Sequence, residues 1–188
     1  MARQLYAPVL AKLRVIRLQK PLILCVLAML TTIASAGSAP KLSLKDLNGQ
    51  TQKLAARHGR IVVLNFWATW CEPCQDELPR LSRLAQSYAG KNVQFVAVSI
   101  DDAKDRAKIE PLLQRLHVDL EVWTGADLDT LEKFGLGNVV PGTMVIDENG
   151  QVVARVMGEA HDEDVRTPVD WLIQGRTGPA PPPLLKRY

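Results

Sequence analysis

The sequence predicts an α/β domain with a mixed central sheet, helices on both faces and a short β extension at its N-terminal side. Three observations carry this expectation. The run Ile61-Val62-Val63-Leu64-Asn65-Phe66-Trp67 is almost wholly apolar, as a central strand covered on both faces must be. Strand-like and helix-like segments alternate after it, the order that builds a layered sheet with helical crossovers. Residues 143–147 and 151–156 then bracket Glu148-Asn149-Gly150, a hairpin signal that adds antiparallel strands.

Composition allows one domain with appendages: 188 residues, 47% hydrophobic and 23% charged, are enough for a sizeable core. The formal charge of +3 misleads, because Arg3, Lys12, Arg14, Arg17 and Lys20 fall in the first twenty residues and no acidic residue precedes Asp46. Without those five, 18 basic side chains face 20 acidic ones, a net of about −2. A weakly acidic body gives no electrostatic reason to expect nucleic acid as a partner.

Residues 1–36 read as a signal peptide or membrane anchor. A basic leader is followed by the apolar run Leu22 to Leu30 and then by Ala34-Ser35-Ala36, an order that fits export with a cut after Ala36. The apolar run is shorter than the ~20 residues that span a bilayer comfortably, while the basic leader equally suits an uncleaved tether formed by residues 21–36. Both outcomes place the body outside the cytoplasm, in the periplasm or an equivalent compartment. Leu24 precedes Cys25 where lipoprotein acceptor sites carry a small residue, so Cys25 is expected to be an ordinary membrane-buried cysteine.

The body, residues 40–175, opens with Leu42 to Gln50, whose alternation and Asn48-Gly49 turn suggest a short hairpin at the sheet edge. Past the central strand, Leu78, Leu81, Leu84, Ala85 and Tyr88 recur at three and four residues and make the buried stripe of a helix that ends at Gly90. Pro73 suits the start of that helix and Pro79 is expected to kink it. Val93 to Ile100 is a second buried strand. Asp101-Asp102 then leads into a helical stretch reaching His117, with a kink or late start at Pro111.

Val118, Leu120 and Val122 alternate with Asp119 and Glu121 as a half-buried strand, and Leu128, Leu131 and Phe134 form a short helix behind Asp127 as N-cap. A last helix carries Val165, Val169, Leu172 and Ile173 and ends at Gly175. Residues 176–188 form a Pro-rich C-terminal tail, expected to be extended and mobile.

The chemistry centres on Trp70-Cys71-Glu72-Pro73-Cys74. The two cysteines lie between the apolar strand and the helix, and the loop they can close is too small to gain much stability as a staple, so the pair reads as redox-active. A thiolate at a helix N-terminus is stabilised by free N–H groups and the positive dipole end. Cys71 is therefore the expected attacker, and Cys74, one turn on and more buried, the resolver. Half of a zinc site is the competing use of this spacing. It needs two more ligands, and His58, His117 and His161 are scattered, so surface positions without a site role are expected for all three. Glu72 places a negative charge beside the forming thiolate and tilts the pair toward reduction, unless solvent screens it.

Phe66 to Cys74, Pro79 five residues beyond, and Val140-Pro141-Gly142-Thr143-Met144-Val145-Ile146-Asp147 together resemble the thioredoxin superfamily, in particular its exported, often membrane-tethered TlpA/ResA/CcmG-like thiol-disulfide oxidoreductases. The resemblance covers residues 40–175 and implies a thioredoxin-like fold. It also implies that Pro141 is a cis-proline facing the cysteines, leaving the Val140 backbone free to pair with a substrate strand. Glu77 matches the position at which ResA-type members carry a glutamate, and takes the role of proton acceptor for Cys74. Thioredoxins instead use an Asp in the preceding strand, where Asn65 stands here.

Trp67 is expected in the core, and Trp70 over the exposed sulfur, where it would contribute to substrate binding together with Val140. The implied activity is reduction of protein disulfides through Cys71 and Cys74 with no cofactor, on substrates such as the paired cysteines of apocytochrome c or other oxidised proteins. Electrons would come from a membrane reductase. A peroxidase is disfavoured, since its Pro-x-x-x-Thr-x-x-Cys order would require Pro at position 64 and Thr at position 68, occupied here by Leu64 and Ala68. A copper carrier on the same fold is the rival from another class, although such proteins carry a wider cysteine spacing and a histidine ligand.

Overall fold

The computed structural model describes residues 37–188; the basic leader, the apolar segment and Cys25 lie outside the described residues. Strand β3 (Ile61–Trp67) has all seven residues buried. Its even-numbered side chains Val62, Leu64 and Phe66 pack with Ile109, Leu112, Leu113, Leu131 and Phe134. The odd-numbered Ile61 and Val63 pack with Leu81, Leu84, Val165, Val169 and Leu172. The period-two direction of strand side chains thus divides one apolar run between two cores. The first core lies under helices α2 (Ile109–Arg115) and α3 (Leu128–Lys133), the second under α1 (Glu72–Ser87) and α4 (Asp162–Ile173).

Among the described residues eight strands, β1 (Ser43–Asp46), β2 (Thr51–Lys53), β3, β4 (Val93–Ser99), β5 (Glu121–Thr124), β6 (Gly142–Ile146), β7 (Val152–Gly158) and β8 (Leu185–Arg187), run in the order β2-β1-β5-β4-β3-β6-β7-β8. Parallel pairing joins β3 to β4 and β4 to β5, while β6 and β7 are antiparallel. The mixed α/β sheet with helices on both faces is the architecture the sequence predicts. The edge hairpin forms as β1 and β2, with the Asp46 carboxylate accepting from the N–H groups of Asn48 and Gln50 and Gly49 at φ 78°. The same device closes the β6–β7 turn, where Asp147 accepts from Asn149 and Gln151 and Gly150 has φ 78°.

Three expectations need correction. The strand expected from Val118 begins only at Glu121, because the backbone at Asp119 is taken by a helix: the Asp119 N–H donates to Ser82 Oγ at 2.9 Å. The helical stretch after Asp102, by contrast, takes the late start expected for it, as a 3₁₀ turn over Arg106–Lys108 followed by α2, with Pro111 in the first turn, where its missing N–H costs nothing. The C-terminal segment is extended but docked. Arg155 N–H donates to the Pro183 carbonyl at 3.1 Å, Pro181 is buried, and strand β8 (Leu185–Arg187) pairs in parallel with β7. Ile173, assigned to the buried stripe of the last helix, is 41% exposed.

Among the described residues no helix is long and apolar enough to cross a membrane.

Candidate active site

Strand β3 ends at Trp67, and the chain turns through Ala68, Thr69 and Trp70 into α1. Cys71 is the N-cap of that helix, Glu72 its first residue and Pro73 its second. Cys71 and Cys74 form a disulfide with an S–S distance of 2.06 Å. The Cys74 N–H points at Cys71 Sγ, 3.3 Å away, so the sulfur occupies the acceptor position that a capping side chain normally fills. A thiolate formed there meets an N–H donor and the positive end of a four-turn helix. Cys71 keeps 5% exposure and Cys74 none, which matches an attacker at the surface and a resolver behind it.

The turn before Cys71 is held from both sides. The Asp101 carboxylate, 2% exposed, accepts from the Thr69 N–H at 3.0 Å, the Thr69 hydroxyl at 2.6 Å and the Ser99 hydroxyl at 2.8 Å. Gln75 donates to the Thr69 carbonyl at 2.9 Å. Asp101→Asn exchanges one accepting oxygen for a donor facing donors, and is expected to cost about 1.5 kcal/mol in a urea denaturation series; an unchanged midpoint counts against this anchoring.

Glu77 lies one helical turn beyond Cys74 and is fully buried. Its Oε1 accepts from Asn65 Nδ2 at 3.0 Å and from the Thr143 hydroxyl at 2.9 Å. Asn65 and Thr143 are register partners on β3 and β6. Oε2 has no hydrogen-bond partner. Burial pushes the Glu77 carboxyl up to about 8, with the Thr143 hydroxyl, the Ala160 N–H and the Arg80 charge opposing. Such a carboxyl holds a proton near neutral pH and can exchange it there.

Pro141 is buried and its peptide bond to Val140 is cis. The register Phe66↔Gly142 brings Pro141 to the end of β3 from which the chain runs into Cys71. Val140 is half-buried. Trp70 is 65% exposed and, with Ile100 and Leu128, lines a cleft of about 390 Å³ whose rim carries Asp102, Asp127 and Asp129. Trp67 is fully buried. Glu72 is exposed at the first position of α1, beside Cys71. Pro73 is exposed beside it. His58, His117 and His161 are all exposed, and among the described residues no group of three or more His, Cys, Asp or Glu side chains could hold a metal.

The structure therefore brings Cys71, Cys74, Glu77, Val140 and Pro141 to one end of the sheet. It adds Asp101, Thr69 and Thr143, which the sequence reading did not single out. Thr143 stood inside a quoted motif, and its register pairing with Asn65 was the available signal.

The AhpC/TSA family profile matches residues 36–155. A thiol-disulfide oxidoreductase ResA from Geobacillus thermodenitrificans is 32% identical over 136 residues, covering 72% of this chain and 76% of the relative. The Bacillus subtilis thiol-disulfide oxidoreductase ResA is 28% identical over 146 residues, covering 78% and 80%. A Chlorobium tepidum crystal structure assigned as thiol:disulfide interchange protein DsbE superposes with a TM-score of 0.64 at 26% identity, covering 77% of this chain and 98% of that one.

Proposed function

Since the chain belongs to the AhpC/TSA family and is a thioredoxin-like thiol-disulfide oxidoreductase, we propose that it works as a reductant of protein disulfides outside the cytoplasm, tethered or released at residues 21–36. The observation that carries this reading is the buried carboxyl of Glu77 behind Cys74. In its ionised fraction this carboxyl sets a second negative charge beside a thiolate and raises the free energy of that form, and a dithiol whose reduced form is destabilised is the stronger electron donor.

The exchange balances as follows. The Cys71 thiolate attacks one sulfur of a substrate disulfide, forming a mixed disulfide and releasing a substrate thiolate that takes a proton. Cys74 gives its proton to the ionised Glu77 carboxylate and attacks Cys71 Sγ. The Cys71–Cys74 disulfide forms, the second substrate thiolate leaves and takes the proton that Glu77 gives up, and the substrate gains two electrons and two protons in all. Resemblance supports the paired cysteines of apocytochrome c as substrate and a membrane dithiol reductase as the source of electrons.

Cys74→Ser is expected to hold Cys71 in mixed disulfides that diagonal gels and mass spectrometry identify; an empty trap in cells making cytochrome c counts against protein substrates. The reduction potential of the described domain should lie below about −200 mV, and a value above about −180 mV, the range of isomerases and oxidases, excludes the reductant reading.

A further inference from the structure

Glu77 is buried by more than its own helix. The linker between β7 and α4, Gly158-Glu159-Ala160-His161, crosses α1 at the level of the carboxyl, and Ala160 is 1% exposed. The Ala160 N–H faces the Glu77 carboxyl and favours its ionised form, against the effect of burial. What presses this linker down is Arg80, one helical turn beyond Glu77. One arm of its guanidinium donates to the Ala160 carbonyl at 2.9 Å, the other forms an ion pair with Glu159, and Asp162 lies 3.7 Å away. The linker is pinned at both ends as well. The Gly158 N–H donates to the Pro141 carbonyl at 2.9 Å, and the His161 N–H to Asp164 at 2.9 Å.

We propose that Arg80 is a positioning residue for the thiol exchange: its fork clamps the Glu159–Ala160 segment as a cover over Glu77, and the cover keeps bulk water from the unpartnered Oε2. The proposal rests on the reading of Glu77 as the proton acceptor of Cys74. A bidentate guanidinium suits the task because it fixes a backbone carbonyl and a carboxylate in one plane, which a lysine ammonium does not. The charged groups around Glu77 are few. Arg80 comes from its own helix, Glu159 from the linker and Asp162 from α4, while β3 and β6 contribute the neutral Asn65 and Thr143. Removing Arg80 has two opposite consequences. The lost cation raises the Glu77 titration midpoint, and an opened cover admits water and lowers it.

The double variant Arg80→Gln/Glu159→Gln removes both members of the ion pair, so their net charge is unchanged and the effect of the cover dominates. In the oxidised protein, ¹³C NMR of the Glu77 carboxyl is expected to show a midpoint lower by about one unit, together with Ala160 amide exchange about tenfold faster. Arg80→Lys, which keeps the charge and loses the fork, is expected to move both readouts the same way. A midpoint that is unchanged or higher in the double variant, or amide exchange that stays at the wild-type rate, overturns the cover. Both readouts follow Glu77 itself in the oxidised protein, so they stand apart from its reading as proton acceptor: that reading fails separately, if Glu77→Gln leaves the pH profile of Cys74 alkylation unchanged.

Discussion

Glu77→Gln is expected to make the oxidised protein more stable at alkaline pH while slowing its chemistry. The folded-state carboxyl titrates at about 8 against an ordinary value of 4.5, so between those limits the folded protein binds more protons than the unfolded chain. Stability therefore falls as pH rises through this window. The carboxyl's contribution is intact below pH 4.5, declines from there, and is fully lost above 8. The span corresponds to about 5 kcal/mol at full ionisation. Gln removes the titration and keeps a neutral group of the same shape in the site. Urea denaturation at pH 5 should find the two proteins alike, and at pH 9 should find the variant more stable by several kcal/mol. Parallel pH profiles exclude a buried, neutral Glu77. The same variant should resolve mixed disulfides about a hundredfold more slowly, since the resolving thiol loses its general base. The site thus holds a group that weakens the fold where the chemistry uses it.

Arg187→Ala should produce the second large effect. Asp164 is a carboxylate with 4% side-chain exposure. Burial opposes its ionisation, but hydrogen bonds from Arg187 and from the His161 N–H outweigh this and hold the group below its ordinary range. Arg187 makes the fork with Nε at 3.1 Å and Nη2 at 2.6 Å. Removing it leaves the Asp164 carboxylate without its counter-ion, and a lower midpoint is expected in denaturant unfolding at neutral pH. A depressed carboxylate contributes its stability above the ordinary pKa and loses it in acid, so the difference between variant and wild type should shrink as pH falls below 3.8. A variant as stable as wild type at neutral pH would show that β8 does not hold the α4 terminus.

Much of the fold was legible because its signals are local. The apolar run at Ile61–Trp67 and the Asp-x-Asn-Gly turns at Asp46 and Asp147 declare themselves within a few residues. What failed was decided by partners distant in the chain. Val118 to Leu120 carry a strand pattern, yet Ser82 takes the Asp119 backbone. The proline-rich end reads as a mobile tail, yet Arg187 finds Asp164 23 residues away and the strand follows. The candidate site divides in the same way. Cys71, Cys74 and Glu77 share one helix and Pro141 sits in a recognisable motif, whereas the contacts of Asp101 to Thr69 and of Arg80 to Ala160 span 32 and 80 residues. No spacing rule reports such contacts.

The sheet ends on both sides in strands of three residues, β2 and β8. This shape is a matter of colloidal behaviour. An eight-stranded sheet with long open margins would offer unpaired N–H and C=O groups to every extended segment it meets, its own copies included. Here β8 shields part of the seven-residue β7, and the short β2 leaves little to template on at the opposite margin. Detaching the last residues of the chain would therefore not only weaken the fold; it would open β7 to stacking with other extended segments.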